Sequence, residues 1–286
     1  MTEVLTPYDL QYVSDNGKSV RLYGGDEFQI SRAQGLTPVT SNLVTSQGLH
    51  GIGVVVESQS IEPKTIIIQG HILGESIPGR KKLLDTIVPG IGGRLIYNNT
   101  WEIKVKVTQS PDIQQNLDYA KYHISLKAPN PYWTGVNERV VILTGMYGTF
   151  RFPVSFARPH SFGRRTQLAS VNARNDGNVP SNFRIVFRAT SAVINPYMTN
   201  VVTGDMMKLE REMVTGEMIT IDMTSSPVRI RSIIAREESN IFGALTLDSV
   251  PFQLAVGDNI VQDGADGNPG GLETKIFFRD TYTGPW

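Results

Sequence analysis

Alternation of apolar and polar residues with a period of two is the feature that most limits how this chain can fold. In the segment 101–107, WEIKVKV, apolar side chains recur at every second position. The same pattern recurs at residues 122–128 and 183–187, whereas apolar residues at helical spacing are almost absent. Successive side chains of a strand point to opposite faces, so each of these segments predicts a strand with one buried face. The sequence therefore predicts a mainly β protein.

The three segments define the predicted core positions. These are Trp101, Ile103, Val105 and Val107; Tyr122, Ile124, Leu126 and Ala128; and Phe183, Ile185 and Phe187. Residues 10–22 predict a hairpin closed by Asp15-Asn16-Gly17, because Asn-Gly accepts the positive φ angles of a tight turn. Residues 51–58 and 64–73 predict two further strands that are buried or half-buried.

One segment interrupts the strands. Residues 76–90, SIPGRKKLLDTIVPG, predict a short helix of about three turns with Ser76 as its N-cap. Leu83, Leu84 and Ile87 form its predicted apolar stripe, and Pro89-Gly90 ends it. We expect this helix to cover one open end or face of a β-sandwich.

A boundary between two domains is predicted near Gly135. The chain has 286 residues, and a single core usually stops growing near roughly 250 residues. Residues 127–138, KAPNPYWTGVNE, are rich in Pro and Asn, and short strands recur after them at roughly 8–12-residue spacing. We therefore predict an N-terminal β-sandwich with one short helix at residues 1–135 and a second β-sandwich at residues 136–286.

Charge and cysteine content exclude several classes of function. Lys and Arg number 27 and Asp and Glu number 27, with twelve of each sign up to Gly135. No net field therefore attracts nucleic acid or an anionic membrane. The chain has no cysteine, which excludes disulfides and a Cys nucleophile and fits assembly in a reducing cytosol. We expect neither a signal peptide nor membrane insertion, because no apolar run reaches the length of a bilayer span.

Two glycine-containing segments raise the question of ligand binding. Gly17-Lys18-Ser19 matches the end of a phosphate-binding loop, but Tyr12 stands where that loop needs glycine, so a hairpin is favoured. Residues 263–271, DGADGNPGG, have the composition of a calcium loop. However, Ala265 and Gly267 stand where an EF-hand places oxygen ligands. We favour a hairpin loop at residues 263–271 and keep a loose calcium site as the alternative.

The titratable residues have no catalytic or metal-binding spacing. None of the four histidines is placed as a paired metal ligand. They are His50, His71, His123 and His160. Glu237 and Glu238 are adjacent and favour a solvated turn, because a glycosidase places its two carboxyl groups across a cleft. We therefore predict no catalytic residues, no cofactor-binding residues, no metal ligands and no cofactor, in a protein that is not an enzyme.

Several segments resemble, in order, the distal tail proteins of long-tailed, non-contractile bacteriophages. They are NPYWTG at 130–135, NDGNVPSNFRIVF at 175–187, INPYMTNVVTGDMMKL at 194–209, MITIDM at 218–223, LTLDSVPFQLAVGDNIV at 245–261 and TKIFFRDTYTGPW at 274–286. The resemblance runs over the whole chain and is densest from Asn130 to the end. The matching fold positions are Asn175, Gly177, Pro180, Gly204, Leu254, Gly257 and Asn259.

This resemblance implies two β-sandwich domains, the second galectin-like, and a homohexameric ring formed by the first domains. The implied role is a structural hub of a phage or prophage tail tip (baseplate), which joins the tail tube to the tail fibre or tail-associated lysin protein. The ring would surround the channel through which DNA passes transiently, and the tape-measure protein is a further implied partner. The implied location is the virion tail tip, assembled in the bacterial host cytoplasm. For the ring contacts we predict residues 34–51 and 150–165.

A carbohydrate-binding, lectin-like module acting in host-surface adsorption is the alternative function. Galectins carry a His, Asn, Arg, Trp and Glu set on one sheet, and the second half offers only His160 and Trp286 toward it. We assign Trp101 and Trp133 to a core or an interface rather than to sugar stacking. A wall-degrading enzyme is a third alternative that no motif supports.

Overall fold

A computed structural model describes residues 9–23, 27–47, 52–73, 76–115, 119–147, 164–167 and 170–286 of the chain. The chain divides into two compact units. Unit 1 comprises Met1–Asn137 together with Thr281–Trp286, and unit 2 comprises Glu138–Asp280. Strands dominate both units, so the predicted mainly β fold is confirmed.

Unit 1 contains most of the long alternating strands and the helix. Its strands are β1 Leu10–Ser14, β2 Ser19–Tyr23, β3 Phe28–Gln34, β4 Ser41–Ser46, β5 Val55–Ile61, β6 Lys64–Ile72, β7 Gly92–Tyr97, β8 Trp101–Val107, β9 Asp112–Gln115, β10 Ala120–Ala128 and β11 Trp133–Gly135. Helix α1, Ser76–Thr86, lies between β6 and β7. The main sheet has the order β2-β1-β7-β8-β10-β6-β3, with β9 paired to β10 and β11 paired to β8.

The alternating segments of unit 1 place their apolar side chains in one core. Ile103, Val105 and Val107 of β8 are buried, and so are all four predicted positions of β10. Trp101 is partly buried against the same core. Glu102 departs from the alternation, because it is buried on the polar side of β8 and pairs with Arg94 at 3.5 Å.

Helix α1 confirms the predicted position but not the whole predicted stripe. Leu83 and Ile87 are fully buried, and the Ile87 amide donates to the Leu83 carbonyl at 2.9 Å. Leu84 is 40% exposed, so its assignment to the buried stripe is wrong. Residues 83 and 87 are one turn apart and share a face, whereas residue 84 is rotated away from it. Gly90, with φ +84°, follows the helix.

Unit 2 is built mainly from two sheets over one core. Its strands are β12 Arg139–Ile142, β13 Thr144–Tyr147, β14 Arg164–Gln167, β15 Val171–Asn172, β16 Phe183–Ala189, β17 Val193–Asn200, β18 Met206–Lys208, β19 Glu212–Met213, β20 Met218–Asp222, β21 Arg229–Ile234, β22 Glu237–Asn240, β23 Ile260–Gly267 and β24 Leu272–Phe278. Strands β13 and β14 form a separate two-stranded sheet. One main sheet has the order β12-β24-β16-β20-β21-β22, and the other has β15-β23-β17-β18 with β19 paired to β17. Phe183, Ile185 and Phe187 of β16 are fully buried between them, as predicted.

The last residues of the chain belong to unit 1. Strand β25, Thr281–Tyr282, pairs antiparallel with β11, placing Tyr282 opposite Trp133. The Trp286 ring lies 4.7 Å from that of Tyr282 and 5.4 Å from that of Trp101. The division predicted from the sequence placed Thr281–Trp286 with the second domain, whereas the structure places these six residues with the first.

Candidate assembly surfaces

Strands β4 and β5 form a two-stranded ribbon, here defined as residues 41–47 and 52–61. The two strands pair with each other in antiparallel fashion, from Ser41 opposite Ile61 to Ser46 opposite Val55. They pair with no other strand among the described residues, and every residue of both strands is exposed. The prediction of a buried or half-buried strand at residues 51–58 is therefore wrong, since apolar composition alone does not say whether the same chain covers a strand.

The ribbon carries an unusual amount of exposed apolar surface. Val55 is 66% exposed, and six more large apolar side chains among the described residues of the ribbon are at least 40% exposed. They are Leu43, Val44, Ile52, Val54, Val56 and Ile61. A two-stranded hairpin is only marginally stable in water, and contiguous exposed apolar surface marks interaction sites. The ribbon is therefore the strongest candidate for a contact surface in unit 1.

The root of the ribbon is held to the body of unit 1. The carbonyl oxygen of Leu36 accepts a hydrogen bond from Trp133 Nε1 at 2.8 Å. It accepts another from Lys64 Nζ at 3.0 Å. Gly35 has φ +77°, and a Cβ there would lie 2.1 Å from the Thr65 carbonyl oxygen, so only glycine fits. The ribbon thus extends from a defined attachment.

The Lys64 ammonium group at this root lies away from water. The side chain belongs to a residue that is only 6% exposed. Burial disfavours the charged form and lowers the pKa of Lys64 to about 8. The two carbonyl oxygens near Nζ, of Leu36 at 3.0 Å and Thr283 at 3.5 Å, both belong to unit 1.

The outer face of α1 is a second exposed surface of unit 1. Ile77 is 81% exposed, and Leu84 is also exposed although it lies on a helix that packs against the core. Arg80 and Lys81 are exposed between them. Among the described residues neither Arg80 nor Lys81 forms an ion pair. The surface therefore combines apolar side chains with two positive charges that pair with none of the described residues.

Two of the four histidines meet in a polar groove on the opposite side of the sheet from the core. His71 and His123 lie on the paired strands β6 and β10 and line a cavity of about 490 Å³. The His123 Nδ1 atom is 3.0 Å from Gln69 Nε2, and the His71 ring packs edge-on against Tyr119 at 5.0 Å. In the described part of the chain, no group of three His, Asp or Glu residues is arranged to hold a metal ion.

The glycine-rich segment 263–271 is mostly strand. Residues 263–267 belong to β23, so the predicted hairpin loop is wrong except at residues 268–271. Asp263 is 2% exposed, and burial raises the pKa of its carboxyl group. Asp266 instead pairs with Lys208 and accepts from Asn195, and these contacts lower the pKa of its carboxyl group. The two carboxylates therefore have different environments.

Glu237 and Glu238 are placed differently from the prediction. They begin the exposed edge strand β22, and the turn before them consists of Ala235 and Arg236, both with positive φ. Glu238 pairs with Arg231 of the neighbouring strand. Both carboxylates stay on the surface, but on a strand rather than in a turn.

Two buried asparagines hold the corners of unit 2. Asn175 donates to the Val179 carbonyl at 2.9 Å and to the Leu254 carbonyl at 3.2 Å, and it accepts from the Gly177 amide at 3.0 Å. Asn259 accepts from the Ala255 amide at 2.8 Å and donates to the Ala255 carbonyl at 2.8 Å. Both are positions that the sequence resemblance identified, and both act on the backbone.

Some predicted residues lie outside the described part of the chain. These are His50, His160, residues 48–51 of the first predicted ring contact and residues 150–163 of the second. No helix of the described residues is sufficiently long and apolar to cross a membrane.

Comparison with known proteins identifies related folds. Residues 176–282 match the family described as "Siphovirus-type tail component, C-terminal domain". The crystal structure of the phage SPP1 Dit protein, titled as a paradigm of the hub adsorption apparatus in phages that infect Gram-positive bacteria, has a TM-score of 0.67 at 12% identity and covers 95% of this chain and 98% of its own. A chain in the phage P2 baseplate, in its activated conformation with Ca, has a TM-score of 0.53 at 10% identity and covers 98% of this chain and 100% of its own. No curated protein matches this chain.

Proposed function

We propose that this chain, whose residues 176–282 match the siphovirus-type tail component family, is the structural hub of a phage tail tip. The predicted resemblance to distal tail proteins is confirmed by that match and by the fold shared with the SPP1 Dit protein. In our proposal six copies form a ring through unit 1. The ring joins the tail tube to a fibre or lysin protein and surrounds the path of the DNA.

The exposed ribbon is the observation that most directly supports the proposed ring. Unit 1 builds a core of its own and still leaves a well-attached two-stranded sheet with several exposed Val and Leu side chains. A cyclic ring requires each copy to use two different patches, one to reach out and one to receive. The ribbon has the form of the reaching patch, because it projects from a root held by Leu36, Lys64 and Trp133.

The second unit suits a role as a rigid attachment surface. Its buried side chains come from both sheets and form one core, and its corners are held by Asn175 and Asn259. A hub has to keep its partners in register without doing chemistry on them. No observation supports the lectin alternative. The tryptophan expected for sugar binding is missing from unit 2, because Trp286 belongs to unit 1 and residues 138–280 contain no tryptophan.

Size-exclusion chromatography with light scattering tests the proposal. We expect a species with six times the 31.6 kDa mass of the chain at micromolar concentrations. Addition of the tail tube protein and of the fibre or lysin protein encoded beside it should shift this species to larger mass. A strict monomer at every concentration, with no assembly when those proteins are added, would refute the proposed hub.

A further inference from the structure

We infer that the edge strand β22 of unit 2 binds an extended segment of the attached fibre or lysin protein as an added strand. A groove beside that edge binds an apolar side chain and a carboxylate of the same segment. This edge groove is lined by Pro227, Val228, Arg229, Arg231, Asn240 and Phe242. The inference rests on the proposed hub, because it names the feature by which the hub recognises an attached protein.

Strand β22 is an open edge of the six-stranded sheet. It pairs with β21 and with no other strand among the described residues. The Ile241 amide donates to the Ile230 carbonyl at 3.0 Å, so the odd-numbered residues of β22 direct their backbone groups toward β21. By the same alternation, the backbone N–H and C=O groups of Glu238 and Asn240 face away from β21. These groups form the hydrogen-bonding edge that an added strand requires.

The edge of the other sheet of unit 2 is covered by the chain itself. The Thr246 amide donates to the Lys208 carbonyl at 3.0 Å, and the Val250 amide donates to the Met206 carbonyl at 2.9 Å. Residues 246–250 therefore occupy the outer edge of β18, whereas no described segment covers β22 in this way. Folded proteins usually cover or distort their edge strands, because open edges pair with other chains. An open, regular edge thus indicates a place for an added strand.

The edge groove combines apolar walls with hydrogen-bond donors. Phe242 is 50% exposed and borders a volume of about 470 Å³ together with Pro227 and Val228. Arg229 is exposed and forms no ion pair among the described residues. The Asn240 Oδ1 atom accepts from the Phe242 amide at 3.1 Å, so the Nδ2 group is what Asn240 can offer to a ligand. The groove therefore fits a ligand with an apolar body and an acceptor group.

The carboxylates nearest to the groove are already bonded within the chain. Glu238 pairs with Arg231. Asp222 stands opposite Arg229 on β20, and it accepts from the Thr224 amide at 2.9 Å and from the Thr224 hydroxyl at 2.6 Å. Arg229 therefore remains the available positive charge, and a guanidinium group binds a carboxylate through two parallel N–H groups. The complementary segment carries Asp or Glu beside a bulky apolar side chain.

A second copy of this chain does not suit the edge. Pairing of β22 with β22 of another copy would bring the two Glu237-Glu238 pairs close together. Like charges on neighbouring strands destabilise their pairing. The occupant is therefore a different protein, and in the proposed hub it is the attached fibre or lysin protein.

Peptide binding to the full chain tests the inference. The probes are overlapping synthetic peptides that cover the fibre and lysin proteins encoded beside this chain, and calorimetric titration measures their Kd. We expect binding by peptides with Asp or Glu beside a bulky apolar residue. Arg229→Glu with Phe242→Ser should raise the Kd at least about tenfold, which corresponds to roughly 1.4 kcal/mol. The matched control, Lys275→Glu with Leu247→Ser, changes an exposed charge and an exposed apolar residue outside the groove and should leave the Kd unchanged.

Two changes in the bound peptide test the geometry without altering the protein. N-methylation at every second residue should abolish binding in one of the two possible phases and preserve it in the other, because alternate N–H groups of an added strand face β22. Replacement of the peptide carboxylate by Lys should weaken binding to the wild type. The same peptide should recover affinity for the Arg229→Glu variant.

The outcomes separate this inference from the proposed hub. Equal Kd values for the wild type and the groove variant, or equal effects of the two methylated peptides, overturn the edge inference and leave the hub standing. The same follows if no peptide binds while the full-length fibre or lysin protein assembles with the chain. Circular dichroism shows whether the variants are folded. A chain that stays monomeric and assembles with neither full-length protein overturns both.

Discussion

Lys64 donates a hydrogen bond of 3.0 Å from Nζ to the carbonyl oxygen of Leu36. Leu36 precedes the ribbon and Lys64 follows it, so this bond joins the two chain segments that connect the ribbon to the rest of unit 1. Trp133 donates to the same oxygen at 2.8 Å. The attachment of a proposed assembly surface therefore depends on a lysine that is held away from water.

The first prediction concerns the pH dependence that Lys64 gives to unit 1. The pKa of Lys64 is about 8 in the folded chain and 10.5 as a free side chain. Between those values the unfolded chain binds a proton that the folded chain has released, so the stability of unit 1 should rise with pH from about 8 to 10.5. Lys64→Met should remove this rise.

Tryptophan fluorescence can measure this effect in the full chain. All three tryptophans, Trp101, Trp133 and Trp286, belong to unit 1, so their emission reports its unfolding alone. The quantity to compare is the difference in melting temperature between wild type and Lys64→Met at each pH. A difference that stays constant from pH 7 to pH 10.5 would contradict the assigned role of Lys64.

The second prediction concerns the buried carboxyl group of Asp263. Burial raises its pKa, so the folded chain holds a proton that the unfolded chain releases once the pH exceeds 3.8. Unit 2 should therefore lose stability as the pH rises from about 3.8 through the raised pKa. Asp263→Asn keeps the shape without the charge and should stabilise unit 2 at pH 7 by about 1–3 kcal/mol.

Calorimetry of the full chain measures the melting temperature of unit 2. The calorimetric transition that is not accompanied by a change in tryptophan emission is assigned to unit 2, because all three tryptophans belong to unit 1. Asp266→Asn is the matched control on the same strand. Its carboxylate has a lowered pKa through Lys208 and Asn195, so its loss should destabilise rather than stabilise at neutral pH. Equal changes in the stability of unit 2 for the two substitutions would contradict the different environments assigned to Asp263 and Asp266.

The third prediction concerns the corner at Asn175. Its side chain makes three hydrogen bonds to backbone groups and is 1% exposed. Asn175→Ala should destabilise unit 2 by about 2–4 kcal/mol, because buried backbone groups lose their partners. Asn182→Ala removes one exposed hydrogen bond to Gln253 and should cost less than about 1 kcal/mol. Chemical denaturation followed by circular dichroism measures the free energy of unfolding of both variants. A similar decrease in the two would contradict the particular contribution assigned to the Asn175 side chain.

The fourth prediction concerns the last six residues. A chain that ends at Asp280 lacks strand β25 and the Trp286 ring, both of which pack in unit 1. We expect this truncation to lower the melting temperature of unit 1, as reported by Trp101 and Trp133, and to leave the transition of unit 2 in place. A lowered transition of unit 2 with unit 1 unchanged would support the division at Gly135 instead.

The sequence alone predicts correctly those strands whose apolar face is buried by other parts of the same chain. At β8, β10 and β16 the period of two specifies which side chains face the core, and a slip of one residue would expose them. The hairpin at residues 10–22 is confirmed for the same reason, with its turn at Asp15-Asn16-Gly17.

The features that sequence could not predict depend on contacts far along the chain. The valines of β5 have the composition of a buried strand, and only their lack of a covering layer reveals the exposed ribbon. Asp263 lies in a segment with loop composition, yet pairing with Met198 of β17 keeps it in a strand. Leu84 differs from Leu83 by one helical position, and the position of the core decides between them.

The chain passes from unit 1 into unit 2 after Asn137 and returns to unit 1 at Thr281. Strands β11 and β25 pair within unit 1, with Thr134 opposite Thr281, and β12 and β24 pair within unit 2, with Arg139 opposite Phe278. The two crossing points are therefore neighbours in both units, as in a domain inserted into a host domain. Such an arrangement allows the whole insert to be exchanged for another of similar end spacing while the host keeps its own fold. In the proposed hub, a change of attached partners therefore requires exchange of the insert alone at these two peptide junctions, and the proposed ring contacts of unit 1 stay untouched.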